Sequence, residues 1–209
     1  MHVKGHIPDQ EPMVSIGLVL PEDRVKSIPI TDIENNRSFK IDLSIGTKIF
    51  PTSIYKLSSI RAGRGFHWEK QISITVEGEL EIKIVDGYPF VINHISLEKY
   101  LICVATSEMS GECPQALLES QTVAARSWLL AAAEQKHADL EIDACNDDCC
   151  QRYQGIGNLT DAATTASEKT RGQVLIHNEK ICDTRYSKSC GGISENNENV
   201  WFDEPKPYL

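Results

Sequence analysis

One glutamate stands where residues able to do chemistry gather. Glu108 lies between Ser107 and Met109, just ahead of the turn Ser110–Gly111–Glu112–Cys113–Pro114. A carboxyl group fixed and partly desolvated in front of a buried helix can keep a proton towards neutral pH, as a general acid must. The plainer reading of Glu108 is a surface or capping residue. A second constellation is His137, Cys145, Cys149 and Cys150. Zinc takes thiolate and imidazole ligands in a tetrahedron, and loops often carry such sets. Unliganded loop thiols, or one disulfide, are the alternatives. Seven cysteines is an odd number, so at least one thiol is free, bound to metal or paired with another molecule.

Helices are expected to flank these groups. Pro114 suits a first helical position, because its missing N–H would be unpaired there. From Gln115 to Lys136 the chain holds good helix formers and no Gly or Pro. Leu117, Val123, Ala124, Leu130 and Ala131 recur at roughly helical spacing and predict its buried face. Ala124, Ala125 and Ala131–Ala133 keep this helix thin. Ser96–Leu97–Glu98 reads as the start of a shorter helix, with Ser96 as cap. Leu159 to Thr170 reads as another, ended by Arg171–Gly172. Gln173 to His177 and Lys180 to Tyr186 look like paired strands across Asn178–Glu179. His137 to Gly157 and Ser187 to Asn199 are expected to be loops.

The first half reads as strands. Val14, Ile16 and Leu18 alternate, as do Phe39, Ile41 and Leu43. Ile72, Ile74 and Val76 are expected to face Leu80, Ile82 and Ile84 across Glu77–Gly78–Glu79. Asp86–Gly87 signals a tight hairpin, because a primed turn needs positive φ. Arg61, Arg64, His67 and Trp68 form a basic-aromatic cluster that could touch sugar, or be a solvated loop. The fold class is therefore α+β. An antiparallel β-rich part at 13–95 follows a flexible lead-in at 1–12. A part at 96–209 contains the long Ala-rich helix, a second helix and short strands lining a groove.

Composition sets limits. Of 209 residues, 41% are hydrophobic and 24% charged, ordinary for a globular chain. A formal net charge of -9 argues against a broad electrostatic grip on nucleic acid, while a neutral polymer such as a glycan stays open. The longest apolar run, Val14 to Leu20, is too short to span a bilayer. Residues 1–13 lack the apolar core of a secretory leader.

Taken together, Tyr100–Leu101, Ser107–Glu108–Met109, Pro114, Ala116–Leu117, Gln121 and Val123–Ala124–Ala125–Arg126–Ser127 resemble the core signature of the stage II sporulation protein D / amidase-enhancer family. Further pieces match in order: Cys150–Gln151–Arg152–Tyr153–Gln154–Gly155, Thr170–Arg171–Gly172–Gln173–Val174–Leu175, Tyr186–Ser187, Ser189–Cys190–Gly191–Gly192–Ile193–Ser194–Glu195, and Val200–Trp201. The resemblance implies a peptidoglycan lytic transglycosylase of the cell envelope, with Glu108 as its single acid and base. In such enzymes the 6-hydroxyl of N-acetylmuramic acid is the nucleophile and the product is a 1,6-anhydro end. It equally allows a non-catalytic wall-binding module that stimulates an amidase. A metal-stabilised interaction domain without a glycan role is a third possibility.

Within this reading Gln121, Arg126, Tyr186, Ser187, Ser189, Gly191, Gly192 and Glu195 are the expected substrate-binding residues. Arg126 could instead make a structural ion pair. Glu195 is the best second carboxylate, or else an anchor of its own Gly-rich loop. Cys190 stands where the resemblance leads one to expect a serine. Some relatives hold zinc through one His and two Cys, which maps onto His137, Cys145 and Cys150. Cys149 would be left over, since adjacent residues rarely both reach one ion. Such a zinc would fix the loop beside the groove. The resemblance also implies a domain that ends close to Leu209 or continues past it.

Overall fold

Each alternating apolar run of the first half folds as a strand of one sheet. The structure, a computed structural model, describes residues 5–134, 136–201 and 204–209. Its strands are β1 (Met13–Val19), β2 (Ser27–Asp32), β3 (Arg37–Asp42), β4 (Lys48–Ala62), β5 (Lys70–Val85) and β6 (Tyr88–Ser96). Helices α1 (Leu97–Glu108) and α2 (Gln115–Ala131) follow, then β7 (Ala144–Cys145), α3 (Asp161–Lys169), a hairpin of β8 (Ile176–His177) and β9 (Lys180–Ile181), and α4 (Asn197–Trp201). The sheet runs β3-β2-β4-β5-β6-β1-β7. Every pairing in it is antiparallel except β1 with β7. The architecture is α+β, as expected.

Asp86–Gly87 forms the predicted turn, with φ of 51° and 77° and Val85 opposite Tyr88. Asn178–Glu179 likewise joins β8 to β9, with φ of 48° and 64°, although these strands are two residues each and shorter than predicted. The break expected at Glu77–Gly78–Glu79 does not exist: β5 is one strand of 16 residues. Ile72, Ile74, Val76, Leu80 and Ile82 share one parity, so the period of two passes through Gly78 unbroken. Gly78 has φ of 125°, and a Cβ there would lie 2.2 Å from the His94 carbonyl oxygen. Asn93 Nδ2 donates to the carbonyls of Glu77 and Glu79 on either side of it.

Helices α1 and α2 lie on the sheet. Leu97, Tyr100, Leu101 and Val104 share a buried cluster with Ala125, Leu129 and Leu130, and with Val14, Ile16 and Leu80 of the strands. The buried face of α2 agrees with the predicted one at Leu130, 2% exposed, and differs elsewhere. Leu118, Thr122, Ala125, Arg126 and Leu129 face inward, while Leu117 is 43% exposed and Val123, Ala124 and Ala131 are only half-buried. Apolar spacing misleads here because the polar residues of the inward face carry their own partners. Thr122 Oγ1 donates to the Leu118 carbonyl (2.7 Å) and Ser127 Oγ to that of Val123 (2.7 Å). Small residues on the three helices let them close up, with Ala105, Leu118 and Ala166 in one contact group. The helix stops at Ala131, short of Lys136, where Ala132 turns left-handed at φ 48°.

Ser96 takes the N-cap position of α1, but its side chain makes no cap bond. Glu11 Oε1 accepts from Glu98 N instead (3.1 Å), and the Pro12 carbonyl accepts from Leu97 N (3.0 Å). Further along the lead-in, Gly5 N donates to the Leu130 carbonyl (2.8 Å) and Glu11 pairs with Arg171 (2.6 Å).

Candidate active site and metal centre

Glu108 is the last residue of α1, ahead of the turn that leads to α2. Its neighbour Ser107 turns its hydroxyl back to donate to the Cys103 carbonyl (2.7 Å) and accepts from Gln154 N (3.2 Å). Glu108 Oε1 accepts from Arg152 N at 2.7 Å. Two consecutive side chains of the helix end thus hold segment 152–154 like the edge of a strand. Gly155, at φ 71°, lets that segment meet β5, where a Cβ would lie 2.0 Å from the Thr75 carbonyl oxygen.

The Glu108 carboxyl is half-buried and stays within reach of a cluster of polar groups. Tyr186 donates its hydroxyl to Oε1 at 3.4 Å, and among the described residues Oε2 accepts no hydrogen bond. Burial pushes the Glu108 pKa up, against the opposing pull of the Arg152 N–H and guanidinium, with Asp148 adding to the rise. The negative end of the α1 dipole acts in the same direction. Burial and the nearby Glu108 also raise the Tyr186 phenol, so it remains a donor. Gln151 lies beside it, accepting from Tyr100 Oη (3.1 Å) and donating to the Ala125 carbonyl (3.2 Å). Gln121 is 5% exposed and lies against Tyr186, and among the described residues its buried Nε2 has no hydrogen-bond partner within hydrogen-bonding distance.

Other expected residues fall elsewhere. Arg126 is 1% exposed, and each of its three guanidinium nitrogens donates within the protein. Its Nε and Nη2 grip Glu98 (2.9 and 2.6 Å), and Nη1 donates to the Gln173 carbonyl (3.0 Å). Ser167 Oγ completes the set on Glu98 at 2.7 Å, so this residue binds α1, α2 and α3 to one another. Glu195 is exposed, and its Oε1 accepts from Asn199 Nδ2 (2.7 Å) and Asn196 N (2.9 Å). Those bonds hold its carboxyl below the usual range, which suits a loop anchor and not a second acid. Ser187, Ser189, Cys190, Gly191 and Gly192 are exposed on the loop that follows Tyr186. Arg152 and Asp148 had no assigned role in the sequence reading, although Arg152 sits inside a matched block. Asp148 takes both Nε and Nη2 of Arg152 at 2.7 Å.

His137, Cys145, Cys149 and Cys150 converge, with one ligand atom from each within 4.8 Å of all the others. Cys149 is therefore a member of the set and not left over: its Sγ is 3.1 Å from Cys145 Sγ and 3.6 Å from His137 Nε2. The bend at Asp147, whose carbonyl accepts from Cys150 N, brings both neighbouring thiols inward. Thiols of Cys149 and Cys150 push His137 up to about 10. Hydrogen bonds from Cys145 and Cys150 hold the Cys149 thiol far below its ordinary value, while the same contacts raise Cys145. A half-buried group that concentrates negative charge on sulfur beside an imidazole fits a thiophilic divalent cation.

Residues 87–177 match the family SpoIID, stage II sporulation protein. Residues 87–177 are a SpoIID domain. The chain is also 26% identical over 185 residues to an uncharacterized protein of Brachyspira hyodysenteriae, covering 86% of this chain and 48% of that protein. It thus spans about half the length of the curated relative it matches. The SpoIID domain contains Glu108, Gln121, Gln151, Arg152 and all four residues of the His/Cys cluster. Tyr186 and the loop after it lie beyond the match, as do β1 to β5 before it. No helix among the described residues is long and apolar enough to cross a membrane.

The SpoIID domain is expected to bind about one zinc per chain through these four residues, measurable by elemental analysis of protein purified without added metal. Cys149→Ser should lower that stoichiometry as much as Cys145→Ser. Chelation should lower the melting temperature by several degrees, because a metal that binds only the folded state adds to its stability. A Cys145–Cys149 disulfide and no metal in the native protein would overturn the assignment.

Proposed function

We propose that this protein cleaves peptidoglycan glycan strands as a lytic transglycosylase, with Glu108 as the only proton carrier. The observation that carries this reading is the state of the carboxyl itself. Burial raises its pKa, Oε1 is occupied by the Arg152 N–H and Tyr186, and among the described residues Oε2 accepts no hydrogen bond. Glu108 would give its proton to the oxygen leaving C1 of the N-acetylmuramic residue. The 6-hydroxyl of the same sugar would then bond to C1 and pass its proton to the carboxylate, so no water is consumed. One carboxyl suffices for this sequence, whereas hydrolytic glycosidases need two. Gln121 Nε2 is placed to receive a substrate oxygen, such as that of an N-acetyl group. A zinc held by His137, Cys145, Cys149 and Cys150 would brace the loop that presents the Arg152 N–H, and it has no part in the proton transfers.

The reading is tested by incubating the protein with glycan strands stripped of peptide and assaying for 1,6-anhydro ends. Strands that stay intact under conditions where a known lytic transglycosylase cleaves them would overturn it. The pH profile offers a second check. Activity should fall as pH rises through the raised Glu108 pKa, because the acid must be protonated to act. The Tyr186 hydroxyl favours the carboxylate form. Removing it in Tyr186→Phe raises the Glu108 pKa further, so the descending limb should move to higher pH. A limb that stays put or moves down would rule out Glu108 as the titrating acid.

A further inference from the structure

Phe66 and Trp68 are exposed by 42% and 43%, a large apolar area to leave in water. They sit in the turn between β4 and β5, with rings stacked at 4.5 Å and 8° and His67 edge-on to the indole. The turn is tightly built. Gly63, at φ 76°, makes room for the indole, since a Cβ there would lie 2.7 Å from Trp68 Cδ1. Gly63 N and Arg64 N each donate to the Asp147 carboxylate at 2.7 Å. The Arg64 guanidinium is buried, gripping Asp23 through Nε (2.7 Å) and Nη2 (2.8 Å) and donating to Asn146 (2.9 Å). Arg64 is therefore a cross-brace and not a member of a solvated basic patch.

This brace joins the aromatic pair to the candidate acid. Trp68 Nε1 donates to Asp148 Oδ2 at 3.0 Å. Asp148 also holds the Arg152 guanidinium, and Arg152 N holds Glu108. The indole's only polar atom is thus occupied on the side towards the acid. What remains open is aromatic surface, bordered by the Arg61–Glu69 pair (2.8 Å).

We propose that Phe66 and Trp68 form a sugar-stacking subsite beside Glu108, which takes a pyranose ring of the glycan strand. This inference rests on the glycan-cleaving function proposed above. The axial C–H groups of a pyranose make an apolar, slightly positive face that suits the negative face of an aromatic ring. The equatorial hydroxyl and amide groups would then point outward to the charged border. A polymer bound across Glu108 must extend past the bond being cut, and the contacts Trp68–Asp148–Arg152–Glu108 tie the aromatic pair to that acid. The subsite lies outside residues 87–177, so the β-rich part would supply it.

The test is equilibrium binding of peptide-free glycan strands, with every variant made in a Glu108→Gln protein so that strands stay whole. Phe66→Ala and Trp68→Ala should each weaken binding about tenfold, while Phe66→Tyr retains it. The Phe66 side chain has no polar atom, and its backbone bonds to Gly63 and Glu69 survive truncation, so Phe66→Ala should keep the parent melting temperature. Unchanged affinity in both alanine variants overturns the subsite. A parent protein that binds no strand overturns it as well. Formation of anhydro ends by the wild type then decides the separate question of whether the proposed activity stands.

Discussion

Glu108→Gln should lower the formation of anhydro ends by roughly 10²–10⁴-fold, the usual worth of a positioned proton carrier. The substitution keeps the shape of the side chain. An amide oxygen can still accept from Arg152 N and Tyr186, so the clamp on segment 152–154 survives. What is lost is the proton for the leaving oxygen. Stability should change in the opposite direction from activity. A carboxyl whose pKa lies above its ordinary 4.5 in the folded state binds its proton more tightly there than in the unfolded chain. Between those two pKa values, stability therefore falls as pH rises. Glutamine removes that cost, so at neutral pH the variant should melt no lower than the wild type. Retained cleavage, or a collapse of the fold, would contradict this account. If glycan binding and stimulation of an amidase are all that the wild type shows, and both survive Glu108→Gln, the wall-binding alternative replaces it.

Arg126→Met should cost about 3–5 kcal/mol of folding stability, the usual penalty for leaving half of a buried ion pair. Against a typical total of about 5–15 kcal/mol, that is enough to unfold a marginal protein. Glu98, 4% exposed, would keep only the Ser167 hydroxyl and lose the forked pair with Arg126. The double variant Glu98→Met/Arg126→Met should recover much of the loss, since no charge is then stranded. Recovery would be incomplete, because the Ser167 hydroxyl and the Gln173 carbonyl each lose a partner. Denaturant titration of the three proteins measures this directly. A single variant of wild-type stability that fails to bind glycan would restore Arg126 to the substrate-binding set.

Local signals were legible wherever the cause was itself local. Period-two alternation in β1, the Asp86–Gly87 turn and the end of α3 at Thr170 depend on residues close in sequence. The same holds for the helix end at Glu108, which follows an apolar stretch and precedes a turn. Errors arose where a distant element set the answer. Gly78 looked like a turn, yet it is glycine because the His94 carbonyl of β6 needs the space. Apolar spacing found Leu130 but missed the polar part of the inward face of α2, because Arg126 becomes burial-competent only when Glu98 of α1 meets it. Adjacency argued against Cys149 and Cys150 sharing a site, but the bend at Asp147 turns both thiols towards His137.

The sequence by itself determined the fold class, most of the elements and the stock of side chains that could hold a metal, since propensity, periodicity and residue chemistry act over a few positions. Only the tertiary structure decided which of those groups are left with something to do. It engaged Arg126 and Glu195 in internal bonds, and among the described residues it left the buried Gln121 Nε2 without a hydrogen-bond partner within hydrogen-bonding distance. It also carried the loop of β4 and β5 across to Asp148. The physical reason is that burial and pairing are properties of meetings between distant segments. A side chain's freedom to bind or to hold a proton is what remains after those meetings are satisfied.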